Sequence, residues 1–325
     1  MLMNWLFSLL LTVFTFVELN CENLFDCTPD SVADDKEWTP EGGKRWGARR
    51  YWTKLDGLGR TILSCGDDSC GWMLPDMVAL CEVENDTVMR DLARRSLLRQ
   101  AGYDYVVTQS ADARGIDVAL LYSPYSFLLL DTASIRVEMP GERRSTRDVL
   151  YASGRITTGD TLHVFVVHAP SRFGGKNASS PYRLAVAGRL MAVIDSIRHR
   201  QPDAPILVAG DFNDEPDDAS CRYYTDRQLV DVSQEAEGAA NVTGTYKFKG
   251  HWERIDHIFA SQKMAQWLEG CRIHCPAFLL EEDMEYGGVM PFRTYKGYRY
   301  NRGYSDHLPL VARFSLPDDA PVASR

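Results

Sequence analysis

Ile206-Leu207-Val208-Ala209-Gly210-Asp211-Phe212-Asn213-Asp214 is the stretch whose reading decides the rest. Four consecutive apolar residues predict a strand buried on both faces. The run stops at a glycine, where the backbone can turn tightly without a side-chain clash. Asp211 and Asn213, two residues apart, then stand where a buried strand opens into a cleft. A carboxylate there can hold a cation or a water, and an amide can donate to a phosphate oxygen. The commoner use of Asp and Asn after a strand is a turn, so the reading depends on whether the pattern recurs.

It recurs along the chain. Phe14 to Leu19 predicts a strand that runs into Asn20 and Glu22, and Met77 to Cys81 predicts one that ends at Glu82. Leu162 to Val167 leads into His168-Ala169-Pro170-Ser171-Arg172. Trp252 to Phe259 carries Asp256 inside an apolar strand, where an unpaired carboxylate is costly and so requires a partner. Ser305-Asp306-His307 precedes a closing strand, Leu308 to Phe314. Five acids, two amides and two histidines thus collect where buried strands meet loops, positions that can converge on one crevice in layered α/β folds.

Between these stretches the spacing predicts helices over Lys44 to Leu63, Val88 to Ala101 and Ser180 to Arg200. The second is expected to be capped by Asp86 or Thr87 and stopped by Gly102. Arg49, Arg50 and Lys54 read as a solvated face of the first. Further strands are expected over Tyr103 to Thr108, Arg114 to Tyr122, Phe127 to Val137 and Val149 to Thr157, with Arg114 and Asp117 able to pair or to reach the cleft. The loop from Arg293 to Leu310 interleaves Tyr295, Tyr298, Tyr300 and Tyr304 with Lys296, Arg299 and Arg302, a mixture suited to a phosphorylated, ring-bearing substrate.

The 325 residues, 45% of them apolar, suffice for one large α/β domain or two smaller ones, and no internal repeat divides them. A net charge of −9 argues against tracking nucleic acid by a broad basic surface. An acidic chain with acids at strand ends suggests a divalent cation. Trp5 to Val17 is apolar but follows no basic residue and is too short to span a bilayer comfortably. Residues 1–13 therefore read as the remnant of an export signal, 14–316 as the single domain, and 317–325 as a flexible tail. The balance favours export, to the periplasm or beyond, over the cytoplasm. Eight cysteines allow disulfides but lack zinc-type pairing with histidines, and Cys21 and Cys81 read as small buried hydrophobes.

Taken together, the motifs Asn20-Cys21-Glu22-Asn23-Leu24-Phe25-Asp26, the Glu82 strand, His168-Ala169-Pro170, Gly210-Asp211-Phe212-Asn213, Arg254-Ile255-Asp256 and Ser305-Asp306-His307 run nearly end to end. In that order the sequence resembles the endonuclease/exonuclease/phosphatase superfamily, which includes secreted deoxyribonucleases, abasic-site endonucleases, sphingomyelinases and inositol-polyphosphate 5-phosphatases. The resemblance implies a four-layer α/β sandwich of two mostly antiparallel β-sheets flanked by helices. It implies attack of water on a phosphoester with Mg²⁺, or Mn²⁺ as the alternative. Glu82 would be the principal metal ligand, aided by Glu22 and Asp306. Asp211 would position or activate the water, with Asn213 and Asn20 orienting it or the phosphate. His307 would be base or phosphate contact with Asp256 fixing its tautomer, and His168 would stabilise developing charge or assist the leaving group. Arg114, Arg172, Arg299 and Arg302 are the expected substrate cations. A phosphodiesterase or nuclease, with DNA or RNA among its candidate substrates, is the leading expectation. A phosphomonoesterase or sphingomyelinase-like hydrolase of lipid or sugar phosphates comes second, and a silent binder of phosphorylated ligands third. A monomer without a stable membrane span is expected.

Overall fold

Each of two main sheets is built around one parallel strand pair, and that pair decides where the polar residues end up. The computed structural model describes residues 11–29, 35–68, 71–110, 112–141, 146–239 and 241–317. Residues 1–10 of the expected export remnant and 318–325 of the expected tail lie outside these.

In chain order the strands of the two sheets are β1 (Leu11–Leu24), β2 (Met77–Val83), β3 (Asp104–Val107), β4 (Asp117–Tyr122), β5 (Phe127–Ile135) and β6 (Val149–Ile156). They continue with β7 (Thr161–His168), β8 (Ile206–Asp211), β9 (Val230–Asp231), β10 (Asp256–Ala260), β11 (Leu268–Ile273) and β12 (Leu310–Pro317). The first sheet is ordered β11-β12-β1-β2-β4-β3 and the second β9-β10-β8-β7-β6-β5. Only β1 with β2, and β7 with β8, are parallel; the remaining neighbours in both sheets are antiparallel. The sheets are therefore mostly antiparallel, as expected.

Strand alternation divides the apolar residues among three cores. Phe14, Phe16, Met77, Ala79 and Val118 meet Leu150, Val164, Leu207, Ala209 and Ile258 between the sheets. On the outer face of the first sheet, Val17, Leu19, Val78 and Leu80 pack with Leu55, Leu58 and Ile62 of α1 (Ala48–Cys65) and Val88 and Leu92 of α2 (Asp86–Arg95). On the outer face of the second, Phe165, Val167, Ile206 and Val208 pack with Val186, Leu190 and Ile194 of α3 (Lys176–Arg200) and Tyr224 of α4 (Ala219–Thr225). Helix, sheet, sheet and helix make the four layers. The central strands β2, β4, β7, β8 and β10 are covered on both faces, which is why they read as continuous apolar runs, whereas the edge strand β5 is largely exposed.

Several expectations need correction. α2 is capped by Asn85, whose side chain accepts from the Val88 amide at 3.0 Å, and not by Asp86 or Thr87. It ends at Arg95, because Ser96 is extended and caps a separate 3₁₀ turn, Leu97–Gln100, through its hydroxyl. α3 starts at Lys176 rather than at Ser180, and Pro181 lies inside it. The stretch expected as one strand over Trp252 to Phe259 is two. His251–Glu253 pairs with Tyr246–Phe248 in a separate hairpin, and only Asp256–Ala260 joins the main sheet. Leu11 to Val13 belong to β1, paired with Pro317 to Ser315. Lys54, expected in solvent, is 1% exposed. Among the described residues, seven cysteines are free, and Cys21 and Cys81 are fully buried. No described helix is long and apolar enough to cross a membrane.

Candidate active site

The C-terminal ends of the parallel pairs and the N-terminal ends of their antiparallel neighbours fall on one edge of the sandwich. In the second sheet Asp211 stands opposite both His168 and Asp256. That register requires Gly210: at φ +143 it lies so close to β7 that a Cβ would sit 1.8 Å from the Val167 carbonyl oxygen. In the first sheet the pairing of β1 with β2 shifts between Asn20 and Leu24, and that of β2 with β4 between Cys81 and Val83. Glu22 (φ 51) and Glu82 (φ 60) occupy those irregularities in left-handed conformations, as does Asn213 (φ 53) after β8. Such conformations are uncommon for residues other than glycine, and bulges of this kind re-aim side chains beside functional sites.

Asp211 joins the two halves. Its Oδ2 accepts from Asn20 Nδ2 at 3.1 Å across the sandwich, and its Oδ1 from the Asn213 backbone amide at 2.8 Å. Burial, with Asp256 close by, pushes its carboxyl up to about 7. Asp256 Oδ2 lies 2.7 Å from His307 Nδ1 and also accepts from Thr245 Oγ1. Burial alone would lower the His307 pKa; the charge and hydrogen bond of Asp256, with Asp306 and Asp211, outweigh it and raise it well above the ordinary imidazole range. His168 is the opposite case. Burial and the charges of Arg147, Arg114 and His307 hold it well below that range, so it is neutral near pH 7. Its Nε2 is 3.7 Å from both Glu82 Oε1 and Asp211 Oδ2.

The first sheet contributes acids. Glu82 Oε2 accepts from the Asn23 amide at 2.8 Å. Glu22 accepts the backbone N–H groups of Thr294 and Tyr295 and lies 3.9 Å from Lys54 Nζ. Burial and Asp306 push the Glu22 carboxyl up to about 7. The charges of Glu22, Asp306 and Glu82 all favour the Lys54 ammonium, although burial lowers its pKa. Three acids therefore surround one lysine, a surplus of negative charge on hard oxygen donors that a divalent cation would relieve. Among the described residues Asp211, Asp256 and His307 also bring three potential ligand atoms within 4.8 Å. Two of those groups already bond to each other; Glu22, Glu82 and Asp306, the expected ligands, do not gather as closely, and Glu22 and Glu82 already accept backbone N–H groups.

The expected substrate arginines are divided by the structure. Arg114 is half-exposed, 3.9 Å from Asp112 and close enough to act on His168. Arg172 is spent on scaffolding: its Nε donates to the Asn213 carbonyl at 2.7 Å, and Glu253 at 3.1 Å balances its charge. Arg299 and Arg302 are exposed. The tyrosines around them mostly pack the loop onto the fold instead of offering rings to a ligand. Tyr295 is buried edge-on against Trp38, and Tyr304 packs against Phe278 and Phe292. Sequence reasoning missed four neighbours. Arg147 clasps the His168 and Ala169 carbonyls at 3.0 and 2.9 Å; Thr245 bonds Asp256; the Tyr246 ring lies 4.8 Å from that of His307; and Arg293 is charged beside Asp306. Each sits in a stretch without a strand-end signature, and only an unpaired acid such as Asp256 announced that a partner must exist.

A family model described as Endonuclease/Exonuclease/phosphatase family matches residues 15–315. The chain belongs to this family. No curated protein matches the sequence. Among solved structures, a mannosyl-6-phosphatase of Bacteroides thetaiotaomicron is similar at 17% identity with a TM-score of 0.62, over 92% of this chain and 98% of that one. The human Nocturnin catalytic domain with bound sulfate is similar at 18% and 0.55, over 93% and 94%. TDP2 from Caenorhabditis elegans is similar at 17% and 0.58, over 93% of this chain and 75% of that one. At these identities the structural neighbours show a shared fold. Family membership supports a hydrolase of phosphate esters.

Proposed function

We propose that this member of the Endonuclease/Exonuclease/phosphatase family is a Mg²⁺- or Mn²⁺-dependent phosphodiesterase that attacks its substrate with water. The observation that carries the reading is the convergence of Asp211, Asp256 and His307 within 4.8 Å, beside the acids around Lys54. Glu82, Glu22 and Asp306 would hold the cation, which supplies charge neutralisation for the phosphoryl oxygens in the transition state. Asp211, poised near 7 and held by Asn20 and Asn213, takes a proton from the attacking water. His307, kept cationic by Asp256, donates from its other nitrogen to a phosphate oxygen. Neutral His168 stabilises charge on the far side or assists the leaving group. Arg114 is the cation best situated to meet the substrate's remaining phosphate oxygens.

A second reading, a monoesterase acting on a sugar phosphate, is favoured by the fold shared with a mannosyl-6-phosphatase. Hydrolysis of bis-p-nitrophenyl phosphate against p-nitrophenyl phosphate separates the two. We expect Mg²⁺-dependent turnover that favours the diester and disappears in EDTA. Glu82→Gln should lower kcat/KM by about 100-fold or more and weaken Mg²⁺ binding in calorimetry. EDTA-resistant turnover would overturn the metal assignment, unchanged Mg²⁺ affinity would remove Glu82 from the ligand set, and faster monoester cleavage would install the second reading.

A further inference from the structure

Two hairpins beside the candidate active site, Tyr246–Phe248 with His251–Glu253 and Leu280–Glu282 with Val289–Pro291, are held together at two points. Lys247, on Tyr246–Phe248, donates from Nζ to the carbonyls of Gly287 and Val289 at 2.9 and 3.0 Å and pairs with Asp283 at 2.8 Å. At the other end Gly250 (φ +83) admits the Tyr286 side chain so closely that a Cβ there would lie 2.8 Å from Tyr286 Cβ. Between them runs a groove of about 490 Å³ whose lining includes Tyr246, Phe248, Tyr286, Met290 and Arg293. Phe248 and Tyr286, both on the lining, are 50% and 51% exposed, so their rings are open to a ligand in the groove.

The groove is continuous with the catalytic edge. Tyr246 lines it and its ring lies tilted, 4.8 Å from that of His307; Arg293 lines it too, its Nε buried and unbonded among the described residues. Its other cations are largely committed: Lys247 to Asp283, and Lys296 to Glu281 at 2.8 Å. What remains is an aromatic floor with Arg293 at its inner end and Lys249, whose Nζ lies 5.3 Å from the centre of the Phe248 ring, beside it; two cations fall short of the track of free charges that a long polyanion follows.

We propose that this groove is the subsite for a single ring carried on the substrate's phosphate, a nucleobase or a sugar face, seated on Phe248 and Tyr286 with Arg293 at the junction. The proposal rests on the phosphoesterase reading and names the class of group that the enzyme selects. The Tyr286 side chain is packed against Gly250, and Lys247 ties together the two hairpins that carry the rings, which lowers the cost of ordering them on binding.

The test is titration calorimetry with Mg²⁺ present, using phosphonates whose C–P bond cannot be hydrolysed: methylphosphonate, and the phosphonate isosteres of adenosine 5′-monophosphate and of glucose 6-phosphate. The wild type should bind at least one ring-bearing probe about tenfold more tightly than methylphosphonate, from stacking alone. The Phe248→Ala, Tyr286→Ala double variant, altered only at exposed positions, should lose that margin. Loss confined to the adenosine probe assigns a base, loss confined to the glucose probe assigns a sugar, and either supports the subsite. Equal wild-type affinities, or a margin that survives in the variant, overturn it. No turnover of either nitrophenyl ester with Mg²⁺, alongside an intact binding margin, would instead strike the phosphoesterase reading alone.

Discussion

Asp256 and His257 are neighbours in the chain, yet each belongs to a different Asp–His pair, and the two pairs have different lives. Asp256 faces inward from β10 and holds His307 at 2.7 Å; His257 faces outward and is held by Asp231 at 2.9 Å. Both imidazoles are buried and both are raised well above the ordinary range against the cost of burial, His307 chiefly by Asp256 and His257 by Cys221 and Asp231. What differs is the second nitrogen. His257 Nε2 faces the Asp214 carbonyl at 2.9 Å, which closes the ring off on both sides. Behind it Arg183 Nε pairs with Asp214 at 2.8 Å, so the outward pair belongs to a buried brace under the turn that follows Asp211. Among the described residues the His307 ring bonds through Nδ1 alone. The same chemical pair is a closed brace when both nitrogens are bonded and keeps a nitrogen for other use when one is not, which is the difference the proposed function relies on.

The strongest way to break that comparison is to remove the inward acid. Asp256→Asn should lower turnover by about 10³- to 10⁴-fold by mis-setting the His307 tautomer and charge, with KM changing far less. Wild-type turnover and an unaltered pH–rate profile would show that the pair does not act in the reaction.

Removing the outward acid should do the reverse. Asp231→Asn leaves a buried imidazole without its partner and should cost about 3–5 kcal/mol in unfolding free energy, with turnover per folded molecule retained. The pH dependence sharpens this. Asp231 is depressed in the folded chain, so its contribution is present above the ordinary carboxylate pKa and lost as pH falls through the folded value. His257 is raised, so its contribution is present below the ordinary imidazole pKa and lost as pH rises through the folded value. Denaturant melts should therefore show the largest gap between wild type and Asp231→Asn between about pH 4 and 6.5, narrowing on both sides. A gap independent of pH would mean that the pair is not ionic.

The smallest effect expected is at the exposed loop cations. Arg299→Ala with Arg302→Ala should raise KM for a natural substrate only a few-fold, about 1 kcal/mol or less, because exposed charges act through water. A loss of tenfold or more would move them from the surface into the substrate's path.

Read without a structure, the chain already yields the sandwich and most of the polar residues along one of its edges. Asn20, Glu22, Glu82, His168, Asp211 and Asn213 all follow apolar runs, and strands covered on both faces leave such runs with no ambiguity of period. The 293–304 loop is only partly what its composition suggests: Tyr298, Arg299 and Arg302 are exposed, while other residues pack inward. Tyrosines among arginines look alike whether they await a ligand or pack on Trp38, and here Tyr295 does the latter while Glu22 accepts the loop's backbone N–H groups.

What the amino-acid order determines by itself is local: where a buried strand ends and which polar residue ends it. What only the tertiary structure decides is which of those residues meet. Lys54 lies 240 residues from Thr294, to which it donates at 2.6 Å, and a basic residue at helical spacing carries no mark of the acids it will lie against. Asp256 and His257 differ by one position, and strand alternation sends them to opposite faces, where 51 and 26 residues of separation are closed by sheets folding on each other. Long-range pairing of charges is set by the packing of whole layers, and that is a property of the fold rather than of any stretch of it.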